Sequence, residues 1–266
     1  MKKYIEIAKI LFRVQMVYRF DVAMTALSTV VRVLFAWILW GAVFSGRGYV
    51  GDFTFQAMLS YYVISSFLST SMSECEWVSG EVSRRIRNGT FSKYLVVPVN
   101  VQGYFMFETL GAVAYYTVFS FIAAVFCTLV FHVELMFTGE IAAILCAAAM
   151  IIIGFSFMVS YHYFIGLLTL QFQDVGFFLH VQGNIIAFVT GALVPLSLLP
   201  DAFTAILRFV PFYYVTYMPA MLLTGQAGVG EGLPGLGILT VWAIAAALMA
   251  ELTYQKLRIK YDGVGI

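Results

Sequence analysis

The chain has 266 residues, of which 62% are hydrophobic and only 11% charged, and its mean hydropathy is +0.91. So few charges cannot cover the surface of a water-soluble core, so the composition predicts an integral membrane protein, and the long apolar stretches described below make the expected fold all-α. The formal net charge is +1, which leaves no basic excess for a nucleic-acid partner and moves attention to where the charges lie.

In the first twenty residues, Lys2, Glu6, Lys9 and Arg13 recur at i, i+4, i+7 and i+11 and form one charged stripe. Tyr4, Ile7, Ile10, Leu11, Val14 and Val17 fall elsewhere around the helix. The pattern predicts an amphipathic helix over residues 1–20, lying at the cytoplasmic headgroup boundary. These charges leave no clean apolar core for a cleaved signal peptide.

Six stretches reach the ~20 apolar residues a membrane span needs. They are Val22–Phe44, Phe53–Ser73, Tyr104–Phe131, Ile141–Thr169, Gly176–Leu196 and Leu233–Leu252. A further apolar stretch, residues 198–225, is broken by Pro200, Pro211 and Pro219. Proline interrupts a helix, so this stretch predicts a re-entrant hairpin of two short helices on the outer side. Arg32 lies well inside the first predicted span and Glu108 near the start of the third. A charge at mid-membrane costs about 2.5–3.5 kcal/mol on insertion scales. The two residues are therefore read as a buried pair, with Arg32 on a transport path as the alternative.

Between the second and third spans the chain reads "SRRIRNGTFSKYLVVPVN", Ser83 to Asn100. Arg84, Arg85, Arg87 and Lys93 join Lys2, Lys3, Lys9, Arg13 and Arg19 of the N-terminal segment and Lys256, Arg258 and Lys260 of the C-terminal one. In a six-span topology these segments share one side, and the other side holds only Arg47 and Arg208. The rule that basic loops stay inside predicts a multi-pass protein of the cell membrane with both termini cytoplasmic. Asn88-Gly89 supplies a left-handed helix stop. Thr90 or Ser92 can cap a further turn bearing Phe91, Tyr94 and Leu95, and Pro98 closes it. The expected product, over residues 83–98, is a short stiff cytosolic helix with exposed aromatic and basic groups, suited to receiving force from a soluble partner.

In the fifth span, His180, Asn184, Ala187 and Gly191 recur at i, i+4, i+7 and i+11, with Gly183 and Thr190 beside them. A small and polar stripe lets helices approach closely. It predicts a contact with a second subunit and one wall of a path, or else packing within the same subunit.

No chemistry of the chain's own is legible, and no catalytic residue is expected. No phosphate-cradling loop is present, and Gly89-Thr90 belongs to none. His132, His162 and His180 lack metal-ligand spacing, so no metal site is expected. Cys75, Cys127 and Cys146 read as small core residues. A secondary transporter driven by an ion gradient is the alternative reading, but it would carry an inverted repeat and mid-membrane acids. No convincing repeat is found.

The segment Arg85-Ile-Arg-Asn-Gly89-Thr90-Phe91-Ser-Lys-Tyr-Leu95-Val-Val-Pro98 is similar to the motif that follows span two in membrane subunits of ABC-2-type ABC transporters. "LPDAFTAILRFVPFYYVTYMPA" resembles that family's re-entrant extracellular element, and the terminal "KYDGVGI" its ending. The resemblance is closest to the antibiotic and multidrug export branch, and with the N-terminal helix and six spans it covers nearly the whole chain. It implies a coupling helix at Arg84–Pro98 seated in a cleft of an ATPase subunit. It also implies two ATP-binding cassette subunits that hold ATP and Mg, and no cofactor in this chain. A second permease subunit, identical or paralogous, would meet spans one, two and five near a central axis within the membrane lipids. The expected cargo is a hydrophobic or amphipathic compound.

Overall fold

The apolar stretches fold as helices, and the polar and proline-bearing joints between them set where each one stops. The computed structural model describes residues 2–172, 176–192 and 194–260; the "KYDGVGI" ending, from Tyr261 on, lies outside the described residues. In chain order the helices are α1 (Lys2–Gln15), α2 (Arg19–Val43), α3 (Phe55–Ser73), α4 (Trp77–Arg87), α5 (Lys93–Val96) and α6 (Val101–Val130). They continue as α7 (Ile141–Leu167), α8 (Gly176–Val189), α9 (Asp201–Leu207), α10 (Tyr217–Leu223) and α11 (Val229–Leu257). Thr54 caps α3 by accepting the Ala57 N–H at 3.2 Å, and Asn100 caps α6 by accepting that of Gly103 at 2.7 Å. Each side chain satisfies an amide that would otherwise be orphaned in the first turn.

Among the described residues, four helices are long and apolar enough to cross a membrane: Phe20–Val43, Val101–Val130, Ile141–Leu170 and Val229–Leu257. A fifth candidate is the pair Asp201–Leu207 and Pro211–Leu223, bent by 89°. α3 is less apolar because it is the bundle's interior. Ser60, Ser65, Ser66, Thr70 and Ser71 are buried there along with Tyr61, Met58 and Leu59. A helix shielded from lipid can keep hydroxyls that bond its own backbone or its neighbours, as Thr70 does with Thr29 of α2 at 3.5 Å.

α8 departs from the predicted span over Gly176–Leu196. It has 14 residues, about 21 Å of helix, against about 30 Å of hydrocarbon. The cause is Gly191, whose φ of +72° ends the helix in the left-handed region.

α1 runs alongside α6 in the same direction. Tyr4 meets Phe107 (ring centroids 5.4 Å), Ala8 meets Gly111, and Phe12 meets Tyr115 (5.3 Å). Each step of four residues along α1 matches a step of four along α6, as parallel packing requires. A helix laid flat across α6 would touch it at one level only. Part of the apolar side that the pattern assigned to the headgroup boundary is therefore spent on α6. Tyr4, Ile7, Ala8, Leu11 and Phe12 are half-buried, while Ile5, Ile10, Val14 and Val17 remain exposed.

Candidate functional site

α4 ends as its sequence dictates. The Asn88 N–H bonds the Arg84 carbonyl at 3.0 Å, and that of Gly89 bonds Ile86 at 3.1 Å. Gly89 takes φ +70°, and a 3-10 turn over Thr90–Ser92 leads into α5. Phe91 and Tyr94 do not face water as expected. Phe91 is 0% exposed, against Tyr94 (5.4 Å) and Tyr254 of α11 (6.4 Å); Tyr94 packs on Tyr104 (5.1 Å) and Phe105 (5.4 Å) of α6. Their i, i+3 spacing puts both rings on one face, and that face turns inward. What the segment leaves exposed is Arg84, Arg87, Asn88, Thr90, Ser92, Lys93 and Leu95–Pro98, with Val96 82% exposed. An aliphatic patch at Leu95–Val97 thus stands beside basic and polar groups on a rigidly anchored turn.

Behind the turn lies a charge network. Buried Glu81 accepts from Arg84 (2.7 and 2.9 Å) and from Arg85 Nε, and Arg85 Nη2 reaches Glu108 of α6 at 3.4 Å. The Arg85 guanidinium also lies 5.4 Å from the Tyr94 ring centre and 5.6 Å from that of Phe105. Arg85 therefore ties α4, α5 and α6 together from inside. Burial pushes the Glu81 carboxyl up, but the hydrogen bonds and charges of Arg84 and Arg85 outweigh it and hold Glu81 below its ordinary value.

The Arg32–Glu108 pair is not formed. Val33 of α2 packs at the level of Cys127. Along α6 that is ~28 Å from Glu108. Arg32 is exposed on α2, and Arg85 takes its expected place beside Glu108.

Arg85→Gln should therefore lower stability by on the order of 3 kcal/mol, because Glu108 loses its one ion-pair partner among the described residues and Glu81 keeps only the exposed Arg84. Arg85→Lys should recover part of it, keeping the charge but losing the planar fork. Arg32→Gln should be close to silent. Thermal unfolding of the purified chain in detergent compares the three, and equal losses at Arg32 and Arg85 would contradict the assignment.

The stripe on α8 divides. Thr190 and Gly191 are buried inside the chain, and the Tyr61 hydroxyl donates to the Gly191 carbonyl at 2.7 Å. A Cβ on Gly191 would come within 3.1 Å of Tyr217. These two positions face their own subunit and are closed to a partner. Gly183 and Ala187 are half-buried, with Glu76 lying 3.3 Å from where a Gly183 Cβ would be; His180 and Asn184 are exposed.

Glu76 belongs to a group absent from the expected site. Between α3 and α4 the chain breaks at residues 74–76, placing Glu74, Glu76 and Trp77 at one elbow. Burial pushes the Glu74 carboxyl up to about 7 and raises that of Glu76. Spacing did signal part of the network: Glu81 with Arg84 and Arg85 is an i, i+3 and i, i+4 pattern. Nothing in the sequence pointed to the elbow acids.

The model of a family described as "ABC-2 family transporter protein" matches residues 30–265, nearly nine-tenths of the chain. Among curated proteins there is no match.

Proposed function

The chain belongs to the ABC-2 transporter family, as a multi-pass membrane transport component and not itself an ATPase, and from that premise we propose that it is the permease of an ATP-driven exporter. ATP-binding cassette subunits partner the membrane component in such transporters, and here two would hold ATP and Mg and push on the α4–α5 turn. One observation carries the reading above others. The turn is braced from inside by Phe91, Tyr94 and Arg85, and it presents Leu95, Val96 and Val97 outward. A loop that only set topology would need its arginines but neither the brace nor the aliphatic patch.

In this reading six segments traverse the cell membrane, α3 and the short α8 among them, with both termini in the cytoplasm. α9 and α10 form the outer hairpin, and the cargo is hydrophobic or amphipathic. A second permease subunit meets the exposed face of α8. Cysteines placed at Asn184 or Ile185, after the three native cysteines are replaced, should crosslink between subunits under mild oxidation. A cysteine at Thr190 should not. Crosslinks at Thr190 alone would place the axis elsewhere.

The functional test is transport in inverted vesicles holding this chain and its co-purified ATP-binding subunit. ATP should drive uptake of a lipophilic dye, and dissipating ion gradients should leave that uptake unchanged. Uptake that needs the gradient and ignores ATP would establish a secondary transporter instead.

A further inference from the structure

One cavity lies beside the charge network behind the coupling turn. Its volume is about 550 Å³, within the ~300–1,000 Å³ typical of small-molecule sites. Leu11 and Val14 of α1 form an apolar wall, and Glu74, Trp77 and Tyr116 stand across from it. Asp21 at the start of α2 is also in the lining, as are Glu81, Glu108 and the Arg85 they share, the one cation there against four carboxylates.

Three features of this cavity agree on one ligand chemistry. Glu74 is half-buried and forms no ion pair among the described residues, in contrast to Glu81 and Glu108, which share Arg85. Trp77 beside it is 64% exposed, and an indole face offers the strongest aromatic surface for a cation. The wall from α1 is aliphatic, which rewards an apolar body. With its carboxyl pushed up to about 7, Glu74 is fully ionised only above that pH, and a cation beside it favours the ionised form whereas an anion does not. We propose that this cavity between α1, α4 and α6 binds an amphiphilic organic cation, with the Glu74 carboxylate and the Trp77 ring holding its charged end.

Glu74 and Trp77 also line a second cavity of about 500 Å³ on the other side of the elbow, against His180 and Gly183 of α8. The same two side chains thus stand between a lateral chamber beside α1 and a groove along α8. A cation released by the first can be received by the second without losing its contacts. That the bound cation is cargo rests on the export reading; that it binds does not.

The test uses the purified full chain in nanodiscs of neutral lipid, without ATP or an ATPase subunit. Radiolabelled tetraphenylphosphonium and its isosteric anion, tetraphenylborate, are compared by equilibrium dialysis, with empty discs subtracted. The cation should bind saturably and the anion should not. Glu74→Gln and Trp77→Leu should each weaken cation binding on the order of tenfold. Unfolding temperatures check that both variants are folded, and if one is not, the other decides. Equal binding of the two ions, or wild-type cation affinity in a folded variant, would overturn the proposal. ATP-driven export that fails while cation binding persists would remove the export reading and leave this site standing. Export that persists without saturable cation binding would do the reverse.

Discussion

Phe91→Asp is expected to abolish the folded protein, not merely uncouple it. The ring is fully enclosed against Tyr94 and Tyr254. Losing a buried aromatic costs about 3–5 kcal/mol, and an unpaired carboxylate in its place adds several more. The sum is comparable to the ~5–15 kcal/mol that holds a typical domain together. Size-exclusion profiles of the solubilised variant should show aggregate and little monodisperse protein. Phe91→Leu, which keeps most of the apolar volume, should retain a monodisperse peak. A monodisperse Phe91→Asp would mean the ring is not buried and would restore the exposed aromatic surface read from the sequence.

Gly111→Leu should detach α1 from α6. A Cβ on Gly111 would overlap the carbonyl oxygen of Ala8 and come within 3.1 Å of its Cα. These are backbone atoms of a helix, which cannot swing aside as a side chain can, so α1 must move as a body. At Gly103 the nearest atom is the Tyr4 ring at 3.3 Å, which can yield, so Gly103→Ala should be mild. The contact between Tyr4 and Phe107 gives the readout. In a chain with the native cysteines replaced, Tyr4→Cys and Phe107→Cys should crosslink under mild oxidation. Adding Gly111→Leu should reduce that crosslink at least tenfold, since overpacking against backbone costs upward of ~1–3 kcal/mol. An undiminished crosslink would show that α1 is not seated on Gly111.

Much of this was legible before the fold was known, and the misses have physical causes. Apolar length located α2, α6, α7 and α11, because a helix that crosses lipid must be predominantly apolar over about 20 residues. The same rule misjudged α8, where one glycine with positive φ ends the helix early, and φ is not written in composition. Asn88-Gly89 correctly announced the end of α4, since that stop is local chemistry. The orientation of what followed was not local. Phe91 and Tyr94 are polar-loop residues only until α6 and α11 are folded beside them, and periodicity cannot say which face of a short turn has a neighbour. The Arg32–Glu108 pairing failed for a related reason. Sequence gives each residue's depth in its own helix, whereas α6 begins well before α2 on the same side, as the meeting of Val22 with Tyr115 and Tyr116 shows. The acidic elbow was not legible because Glu74 and Glu76 come at the end of a span, where sequence alone assigns a charge to open solvent, and their burial depends on helices distant in the chain.

The central claim is that an ATP-binding subunit engages the outer face of the α4–α5 turn. The direct measurement is its affinity for the purified permease carrying Val96→Asp, compared with wild type and with Lys93→Ala. Val96 is the most exposed residue of the aliphatic patch, so its replacement leaves the fold intact. A carboxylate at the centre of an apolar contact should cost ~2–4 kcal/mol, about 30- to 1,000-fold in dissociation constant. The account predicts that loss together with an unchanged unfolding temperature, and a change of only a few-fold for Lys93→Ala at the rim. Wild-type affinity for Val96→Asp would contradict it and move the docking surface away from this turn.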